Sequence, residues 1–494
     1  MPDERETRIQ RVHDLREQGI NPYPNTAERT HTIAEVLEHF DTYQQKGTDA
    51  SFTLVGRIRL LRRQGKITFA AIEDGTARIQ LYFAINDVGE EEYKKVKMLD
   101  LGDFIQVSGY LFTTNRGERT LHVLRHRLLS KGIRPLPEKY HGLEDKEIRQ
   151  RKRYLDLLAN GDEVKQVFIT RSRTISALRR YLDTHGYIEA ETPILQPLYG
   201  GATARPFVTH HNALDRDLYM RIAVELYLKR LIVGGFERVY EIGRNFRNEG
   251  IDRSHNPEFT MLEFYEAYAD YNKMMQVVEE MVAFVAQEVH GSPRITFQGS
   301  EIDLTPPWPR MRQTDAIAEY TGIDVHRFPD RDSLATEMRA NGFEVDPKLG
   351  WGRLVDDLMK AMFRKNIPAL RQALFLTDYP LDISPLAKQH REVPGLVERF
   401  QPFVGGLELG NAFTELNDPL DQRARFEDQA RQREQGDDEA QVLDEDFLEA
   451  MEIGMPPTGG VGIGVDRLVM LMTDQESIRD VILFPTMRKA ADEQ

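Results

Sequence analysis

Cysteine is absent from this chain of 494 residues. Its absence excludes disulfide bonds, thiolate nucleophiles, and zinc or iron–sulfur sites with cysteine ligands. Long apolar runs are also missing, because no stretch approaches the roughly 18 residues that a membrane-spanning helix needs. The first residues, Met1 to Arg16, are charged and lack the apolar core of a signal peptide. We therefore expect a cytoplasmic protein with no membrane segment.

Positive charge is scarce overall, since 65 Lys and Arg face 80 Asp and Glu, a formal net charge of −15. An acidic balance of this size argues against broad binding of nucleic acids. The charge is distributed unevenly along the chain, however, because residues 52–134 contain 15 Lys and Arg against 9 Asp and Glu. A basic segment on an acidic chain indicates a local RNA contact, although ordinary variation of surface charge explains it equally well.

The length of the chain predicts more than one domain. Residues 4–18 have a charged helical pattern that ends at Gly19, and prolines 22 and 24 prevent its continuation. From Phe52 onward the pattern changes to short strands. We predict a helical extension over 1–50, a β-barrel over 51–134, a linker over 135–148 and a larger domain over 149–494.

The barrel is predicted from the order of its elements, which is three strands, one short helix and two strands. This order within about 80 residues is typical of a five-stranded barrel of the oligonucleotide-binding (OB) type. A generic small barrel is the alternative. The predicted strands are 52–61, 66–72, 78–85, 104–113 and 119–129, and the helix is 90–99.

The larger domain begins with a long amphipathic helix. Apolar residues recur at helical spacing from Val164 to Leu182, and Gly186 ends the pattern. The strand-like segments that follow come in neighbouring pairs and do not alternate regularly with helices. This order favours an α+β fold, with an antiparallel sheet flanked by helices, over a doubly wound parallel sheet. The predicted strands include 238–244, 259–267 and 407–416.

One polar segment combines groups that suit a nucleotide. Arg247 and Glu249 are two residues apart, so on a strand they would share a face. His255 and the aromatic Phe259 follow closely. Phosphates need cations, and a purine needs an aromatic surface and a hydrogen-bond acceptor, all of which this segment offers. A surface ion pair between Arg247 and Glu249 is the simpler alternative.

Two further segments have the composition of a lined pocket. Phe259, Met261, Glu263 and Tyr265 would share one strand face, which predicts a pocket wall or else a half-exposed strand. Near the C-terminus, a glycine-rich run precedes Arg467 and an apolar helix. Such a run can cradle phosphate with its N–H groups, but glycines that allow close packing are the more common reason for it.

A fourth segment places acidic residues in an otherwise apolar strand. Asn411, Phe413 and Glu415 share strand parity, whereas Glu408 joins them only if Gly410 forms a bulge. A buried glutamate without a partner is costly. Glu415 therefore indicates either a cationic ligand or a structural arginine.

Three motifs along the larger domain resemble the signature motifs of class II aminoacyl-tRNA synthetases. They are the long helix with the strand ending at Pro193, the segment Phe246–Glu249, and the segment Gly462–Arg467. Several longer strings resemble the lysyl-tRNA synthetase family in particular, and the resemblance covers nearly the whole chain. These strings are Gly200–Phe207, Glu225–Arg230, His255–Thr260, Ile383–Ala387 and Thr414–Pro419.

The resemblance implies a set of ATP contacts at matching positions. Arg247 is expected to hold the α-phosphate and the lysine carboxylate, and Arg467 to cover the adenine and reach the γ-phosphate. Both are the expected catalytic residues. The other expected contacts are Glu249 for the adenine amino group, Phe259 for stacking, His255 for the outer phosphates and Glu408 for Mg²⁺.

The resemblance also implies the lysine contacts. The α-amino group is expected at Gly201 and Glu225, and the carboxylate near Asn411. The ε-ammonium is expected at Glu415 with Tyr265 and Glu263, and Phe413 completes the pocket.

Two departures from the family pattern concern the metal and the anticodon. Family members usually have a second magnesium carboxylate where this chain has Gln401, whose amide lacks the charge that holds Mg²⁺. In the barrel, Phe69 is expected to stack on an anticodon base and Gln80 to read one. The acidic contact that the family often has in the last strand is missing from residues 121–127.

The resemblance thus implies a lysine–tRNA ligase that uses ATP and Mg²⁺, binds tRNA(Lys) and forms a homodimer around the first motif. A synthetase for aspartate or asparagine is a rival, which Glu263 and Glu415 oppose on electrostatic grounds. A relative that lysylates a protein is a second rival, but such relatives lack the barrel. A catalytically inactive RNA-binding paralogue is a third, opposed by the presence of Arg247 and Arg467.

Overall fold

The chain forms two compact units, residues 1–144 and 145–494. The structure, a computed structural model, describes residues 3–136, 143–347, 349–365, 367–434 and 442–489. Residues 137–142 of the predicted linker lie outside the described residues.

The first unit contains five α-helices, one short 3₁₀-helix and five strands among its described residues. Its strands close into a barrel of order β1-β2-β3-β5-β4, which confirms the predicted OB type. The elements are α1 (Glu4–Glu17), α2 (Ile33–Glu38), α3 (Phe40–Gln44), β1 (Phe52–Gln64), β2 (Ile67–Glu73), β3 (Arg78–Ala84), α4 (Ile85–Val88), α5 (Glu90–Lys97), β4 (Phe104–Thr113) and β5 (Arg119–Ser130).

Alternation of side chains builds the barrel core. In the first half of β1, every second residue is buried, starting with Phe52 and Leu54. These residues share one apolar cluster with Leu15 of α1 and Phe40 of α3. The N-terminal helices therefore pack on the barrel and belong to the same folding unit.

The second unit is an α+β structure, as the pairing of its strands predicted. Its first elements are α6 (Lys146–Arg151), α7 (Arg153–Ala159), α8 (Gly161–Thr184), β6 (Ile188–Glu189), β7 (Leu195–Gln196), β8 (Val208–His211), β9 (Arg216–Met220), α9 (Glu225–Val233), β10 (Arg238–Phe246), β11 (Glu258–Ala267) and α10 (Tyr271–His290).

The rest of the second unit adds an inserted helical region and the last strands of the sheet. Its elements are β12 (Arg294–Phe297), β13 (Ser300–Asp303), β14 (Arg310–Arg312), α11 (Gln313–Thr321), α12 (Arg331–Ala340), α13 (Trp351–Arg364), β15 (Leu374–Pro380), β16 (Leu396–Val404), β17 (Leu407–Glu408), β18 (Gly410–Thr414), α14 (Pro419–Glu434), α15 (Glu445–Ile453), β19 (Thr458–Gly464), α16 (Val465–Met472) and α17 (Ile478–Val481).

The large sheet has the strand order β14-β15-β16-β18-β19-β11-β10-β6, with β17 paired to β16. The strands from β15 to β10 pair antiparallel, whereas the outermost pairs β14–β15 and β10–β6 are parallel. Helices α8, α10 and α16 share a continuous apolar core with this sheet. The core leaves the opposite side of the central strands available for polar side chains.

Candidate active site

A cavity of about 2010 Å³ lies in the second unit, lined by the central strands of the sheet, the N-terminus of α9 and one side of α13. Every residue predicted to contact ATP, lysine or metal lines this cavity. These residues are Gly201, Glu225, Arg247, Glu249, His255, Phe259, Glu263, Tyr265, Gln401, Glu408, Asn411, Phe413, Glu415 and Arg467. Phe69 and Gln80 belong to the barrel of the first unit.

Arg247 follows the end of a strand. The sequence predicted that Arg247 and Glu249 share a strand face, but β10 ends at Phe246, so this prediction is wrong. The chain turns there, with the Glu249 N–H donating to the Arg247 carbonyl at 2.9 Å. The Arg247 N–H donates to the Pro257 carbonyl at 2.8 Å, which ties the loop to the strand that follows it.

Cations and an aromatic ring gather at one end of the cavity. The guanidinium of Arg247 lies 5.0 Å from the ring centre of Phe259, and burial lowers its pKa. Arg467 Nη1 donates to the Glu408 carbonyl at 2.8 Å, and Arg467 Nη2 lies 3.3 Å from His255 Nε2. This end offers two guanidinium groups and an imidazole to a phosphate chain.

Carboxylates gather at the other end, where Glu225, Glu263 and Glu415 are all buried. Val224 N–H donates to Glu263 Oε1 at 3.3 Å, and the Tyr265 hydroxyl donates to Glu263 Oε2 at 3.2 Å. Burial, with the neighbouring Glu225, raises the pKa of Glu263 to about 7. Burial likewise raises the pKa of Glu415, against the pull of a buried lysine.

That lysine is Lys229, which the sequence analysis did not single out. It lies one turn after Glu225 on α9, and its side chain is fully buried. Its Nζ contacts Glu225 Oε1 at 2.5 Å and forms a second ion pair with Glu415 Oε2. Glu415 Oε1 accepts no hydrogen bond from the part of the chain that the structure describes. The acidic end therefore contains three carboxylates and one resident cation, and Glu415 Oε1 lacks a donor among the described residues.

Gly201 closes the cavity beside the N-terminus of α9. Its φ of +82° is a conformation that residues with a side chain rarely adopt. A Cβ at this position would also lie 3.0 Å from the Cβ of Glu225 and 3.2 Å from that of Ala223. The backbone of residue 201 can approach Glu225 only because no side chain intervenes.

A half-buried arginine of the cavity wall, Arg399, connects two of the predicted lysine contacts, and the sequence did not predict it. Arg399 Nε donates to Asn411 Oδ1 at 2.7 Å, and its guanidinium lies 5.8 Å from the Phe413 ring. Arg399 therefore orients both side chains from the neighbouring strand. Charged residues of α13, such as Arg353, Asp356 and Lys360, also line the cavity. They stand far from the recognised motifs, so no motif pointed to them.

The predicted metal position has one carboxylate. Phe403 of β16 pairs with Glu408 of β17, so Gln401 and Glu408 lie on the same face, with their Cα atoms about 7–8 Å apart. Gln401 Oε1 accepts a hydrogen bond from the Tyr379 hydroxyl at 2.6 Å. Among the described residues, no cluster of three or more His, Cys, Asp or Glu side chains could hold a metal ion. These donors suit an Mg²⁺ ion that is held largely by substrate phosphates.

The glycine-rich run forms a strand and not a phosphate-binding loop. Residues 458–464 make β19, which pairs with β11 on one side and β18 on the other. A Cβ at Gly460 would lie 2.1 Å from Glu415 Oε1 and 2.4 Å from the Tyr265 ring. The packing explanation is therefore correct, and its physical reason is that two functional side chains occupy the space above the strand.

The predicted anticodon residues lie on neighbouring barrel strands. Phe69 of β2 pairs with Tyr82 of β3, and their ring centres are 5.3 Å apart. Gln80 Nε2 donates to Thr120 Oγ1 at 2.9 Å. Tyr82 continues the aromatic surface to His122, at 5.0 Å.

Comparison with known proteins matches both units. Residues 145–488 match the family described as tRNA synthetases class II (D, K and N), and residues 52–129 match the OB-fold nucleic acid binding domain. A lysine–tRNA ligase of Moorella thermoacetica is 52% identical over 481 residues, which cover 97% of each chain. The chain belongs to the class II lysyl-tRNA synthetase family. The predicted recognition and fold are thereby confirmed.

Two further relatives in this family have the same extent. The lysine–tRNA ligase of Chloroflexus aurantiacus is 53% identical over 98% of both chains. That of Roseiflexus castenholzii is 55% identical over 97% of this chain and 98% of its own. Among the described residues, no helix is long and apolar enough to cross a membrane.

Proposed function

We propose that the chain is a lysine–tRNA ligase, which activates L-lysine with ATP and transfers it to the 3′-terminal ribose of tRNA(Lys). The observation that carries this proposal is the polarity of the cavity. One end carries Arg247 and Arg467, whereas the other carries Glu225, Glu263 and Glu415. A triphosphate suits the first end, and a diamino acid suits the second.

The acidic end distinguishes lysine from the other amino acids that this family serves. The side chain of aspartate would add a fourth carboxylate to the three buried ones, and that of asparagine would leave them unneutralised. The ε-ammonium of lysine can donate to Glu415 Oε1, which has no hydrogen-bond donor among the described residues. Tyr265 and Glu263 complete its surroundings, while Glu225 and Gly201 hold the α-ammonium.

The ATP roles follow from the cationic end. Phe259 stacks on the adenine, Glu249 accepts from its amino group, and Arg467 covers the opposite face. His255, which contacts Arg467, binds the outer phosphates. Arg247, at the cationic end but close enough to Glu263 for their charges to interact, binds both the α-phosphate and the lysine carboxylate, with Asn411 and Phe413 on the lysine side.

The first step needs alignment more than acid–base chemistry. The lysine carboxylate is already ionised, so its oxygen attacks the α-phosphorus without a general base, and pyrophosphate leaves. Arg247 stabilises the negative charge that develops on the α-phosphate oxygens. A ribose hydroxyl of the tRNA then attacks the carbonyl carbon of lysyl-adenylate, and AMP leaves.

Magnesium belongs to the proposal as a partner of ATP. Glu408 and the amide oxygen of Gln401 would hold it, and the ion would neutralise phosphate charge. Because Gln401 is neutral and already accepts from Tyr379, we expect a higher Mg²⁺ requirement than two carboxylates would give.

The remaining partners are tRNA(Lys) and a second copy of the chain. Phe69 and Gln80 would contact the anticodon on the basic barrel. Exposed apolar side chains around β6 and β7, including Ile188, Ile194 and Leu195, would be covered in a homodimer. Light scattering should then give about twice the mass of 57.1 kDa. We also propose a cytoplasmic location, where the tRNA is found.

The decisive experiment is ATP–pyrophosphate exchange with each of the twenty amino acids and ornithine, with Mg²⁺ varied. We expect exchange with lysine, weak exchange with ornithine, and a raised Mg²⁺ requirement. Exchange with aspartate or asparagine would overturn the assignment of the acidic pocket. No exchange by well-folded protein would favour an inactive RNA-binding paralogue.

A further inference from the structure

The acidic end of the cavity contains more carboxylates than its ligand has positive charges. Glu225, Glu263 and Glu415 supply three, whereas lysine brings two ammonium groups. The lysine carboxylate is matched separately by Arg247. Buried charge without a partner is costly, so one further cation is needed at this end.

Lys229 supplies that cation from the protein itself. Its Nζ is fully buried and forms ion pairs with both Glu225 and Glu415. Lys229 does not line the cavity, whereas its partners Glu225 and Glu415 do. One turn of α9 separates Lys229 from Glu225, which places both side chains on the same helix face.

The charged groups on the surrounding elements leave Lys229 in this position. Arg230, next to it on α9, pairs with Asp444 and Asp446 at the start of α15 and does not compete. The groups that face the acidic end are Glu225 on α9, Glu263 and Tyr265 on β11, Glu415 after β18 and Arg247 after β10.

We propose that Lys229 is a positioning residue for lysine recognition, which neutralises one of the three carboxylates and leaves two negative charges for the two ammonium groups of the ligand. It also orients Glu415, because the ion pair engages Oε2, while Oε1 has no hydrogen-bond donor among the described residues. This inference rests on the proposed lysine specificity and adds the group that balances its charge.

The expected effect of losing Lys229 is a change in how lysine binding depends on pH. Without this cation, the empty pocket retains protons on its carboxyl groups up to a higher pH. Lysine binding then has to displace those protons. A salt bridge with a purely structural role would change thermal stability and leave the pH dependence unaltered.

The test is isothermal titration of the full-length chain with lysine from pH 6.5 to 9, for wild type, Lys229→Met and Lys229→Arg. We expect Lys229→Met to weaken lysine binding at pH 7 at least tenfold, and to move the midpoint of the pH profile up by one unit or more. Lys229→Arg should stay within threefold of wild type. ATP binding should be the same in all three, which controls for folding.

Two results separate this inference from the proposed function. If wild type does not bind lysine, the proposed function fails. If wild type binds it and folded Lys229→Met has the same pH profile, only the role of Lys229 fails.

A crystal structure of the wild-type enzyme with lysine covers the case in which Lys229→Met does not fold. We expect Nζ of Lys229 to remain within about 4 Å of Glu225 and Glu415 with the ligand present. If the ligand ammonium instead displaces Lys229, then Lys229 pairs with these carboxylates only in the empty enzyme, and the proposal is overturned.

Discussion

Arg247 is the residue on which both reactants converge in the proposed mechanism. Its guanidinium lies against Phe259 and is close enough to Glu263 to influence the pKa of that carboxyl. A guanidinium in this position would interact with the lysine carboxylate before the reaction and with the α-phosphate oxygens as the new bond forms.

The first prediction concerns Arg247→Ala. We expect exchange to fall about 100- to 1,000-fold, the usual loss when one preorganised donor to a developing charge is removed. The matched control is Arg244→Ala, an exposed arginine nearby on β10 that pairs with Glu258 at 3.6 Å. Comparable activity of the two variants in the exchange assay would contradict the role of Arg247.

The second prediction concerns the pH dependence of lysine binding in the wild-type enzyme. The pKa of Glu263 is raised to about 7, and burial also raises that of Glu415, so the empty pocket holds protons at neutral pH. A bound ammonium requires these carboxyls to be ionised. Affinity should therefore rise with pH from 6 to 8.5, by up to about tenfold per unit for each proton released.

Titration calorimetry in two buffers of different ionisation enthalpy measures this proton release directly. We expect close to one proton or more released per lysine at pH 7. Loss of a proton from the α-ammonium of free lysine at the upper end of this range would weaken binding to an acidic pocket, so it cannot produce the expected rise. A dissociation constant that is flat across this range would show that the carboxyls are already ionised in the empty site.

At the scale of elements, β19 determines the floor of the lysine pocket. Its glycines leave room for Tyr265 and Glu415 from the strands on either side. On the cavity side the strand presents Gly460, Gly462 and Gly464, whereas Val461 and Ile463 contribute to the apolar core.

The third prediction is that Gly460→Ala weakens lysine binding strongly while ATP binding persists. The new Cβ would meet Glu415 Oε1 at 2.1 Å, so the carboxylate has to move. The matched variant is Gly462→Ala on the same strand, whose Cβ would meet the terminal methyl of Met261 at 2.7 Å. Because that methyl ends a flexible side chain, the loss of lysine affinity should be smaller, as calorimetry can determine.

The alternation of side chains along a strand was sufficient to predict which residues of β11 share a face. Glu263 and Tyr265 were placed on one pocket wall because strand parity follows from neighbouring residues alone. The prediction for residues 407–416 was less accurate, because the chain leaves the strand at Leu409 to hydrogen-bond with Pro402. The register against β16 shifts by one residue, from Phe403 opposite Glu408 to Phe400 opposite Ala412, and this extra residue is the bulge that parity required to bring Glu408 to the cavity.

Contacts between distant elements account for what the sequence could not predict. Lys229 is four residues after Glu225 on α9, and this spacing alone would suggest an ordinary salt bridge on the surface of the helix. Only the docking of α9 on the sheet adds Glu415 to that pair. The same holds for Arg399, whose partner Asn411 is on another strand, and for α13, which belongs to an inserted region with its own apolar core.

At the scale of the whole molecule, chemistry and tRNA selection are assigned to separate units. Every described residue that lines the cavity belongs to the second unit, whereas Phe69 and Gln80 belong to the first. The two functions should therefore respond independently to mutation.

The fourth prediction is that Phe69→Ala weakens tRNA(Lys) binding about 5- to 150-fold, since one stacked base contributes about 1–3 kcal/mol. Lysine-dependent exchange, measured without tRNA, should not change. The control is Leu101→Ala, another apolar side chain at the surface of the first unit. A parallel loss of exchange in Phe69→Ala would show that the barrel supports the fold of the second unit.

The size of the cavity has a consequence for the order of events. A volume of about 2010 Å³ exceeds the roughly 300–1,000 Å³ of an ordinary small-molecule pocket. ATP and lysine therefore leave part of it unfilled. In the proposed mechanism, that spare room would allow the 3′ end of the tRNA to reach the activated amino acid in its binding site, so the reactive intermediate would be passed on without release to water.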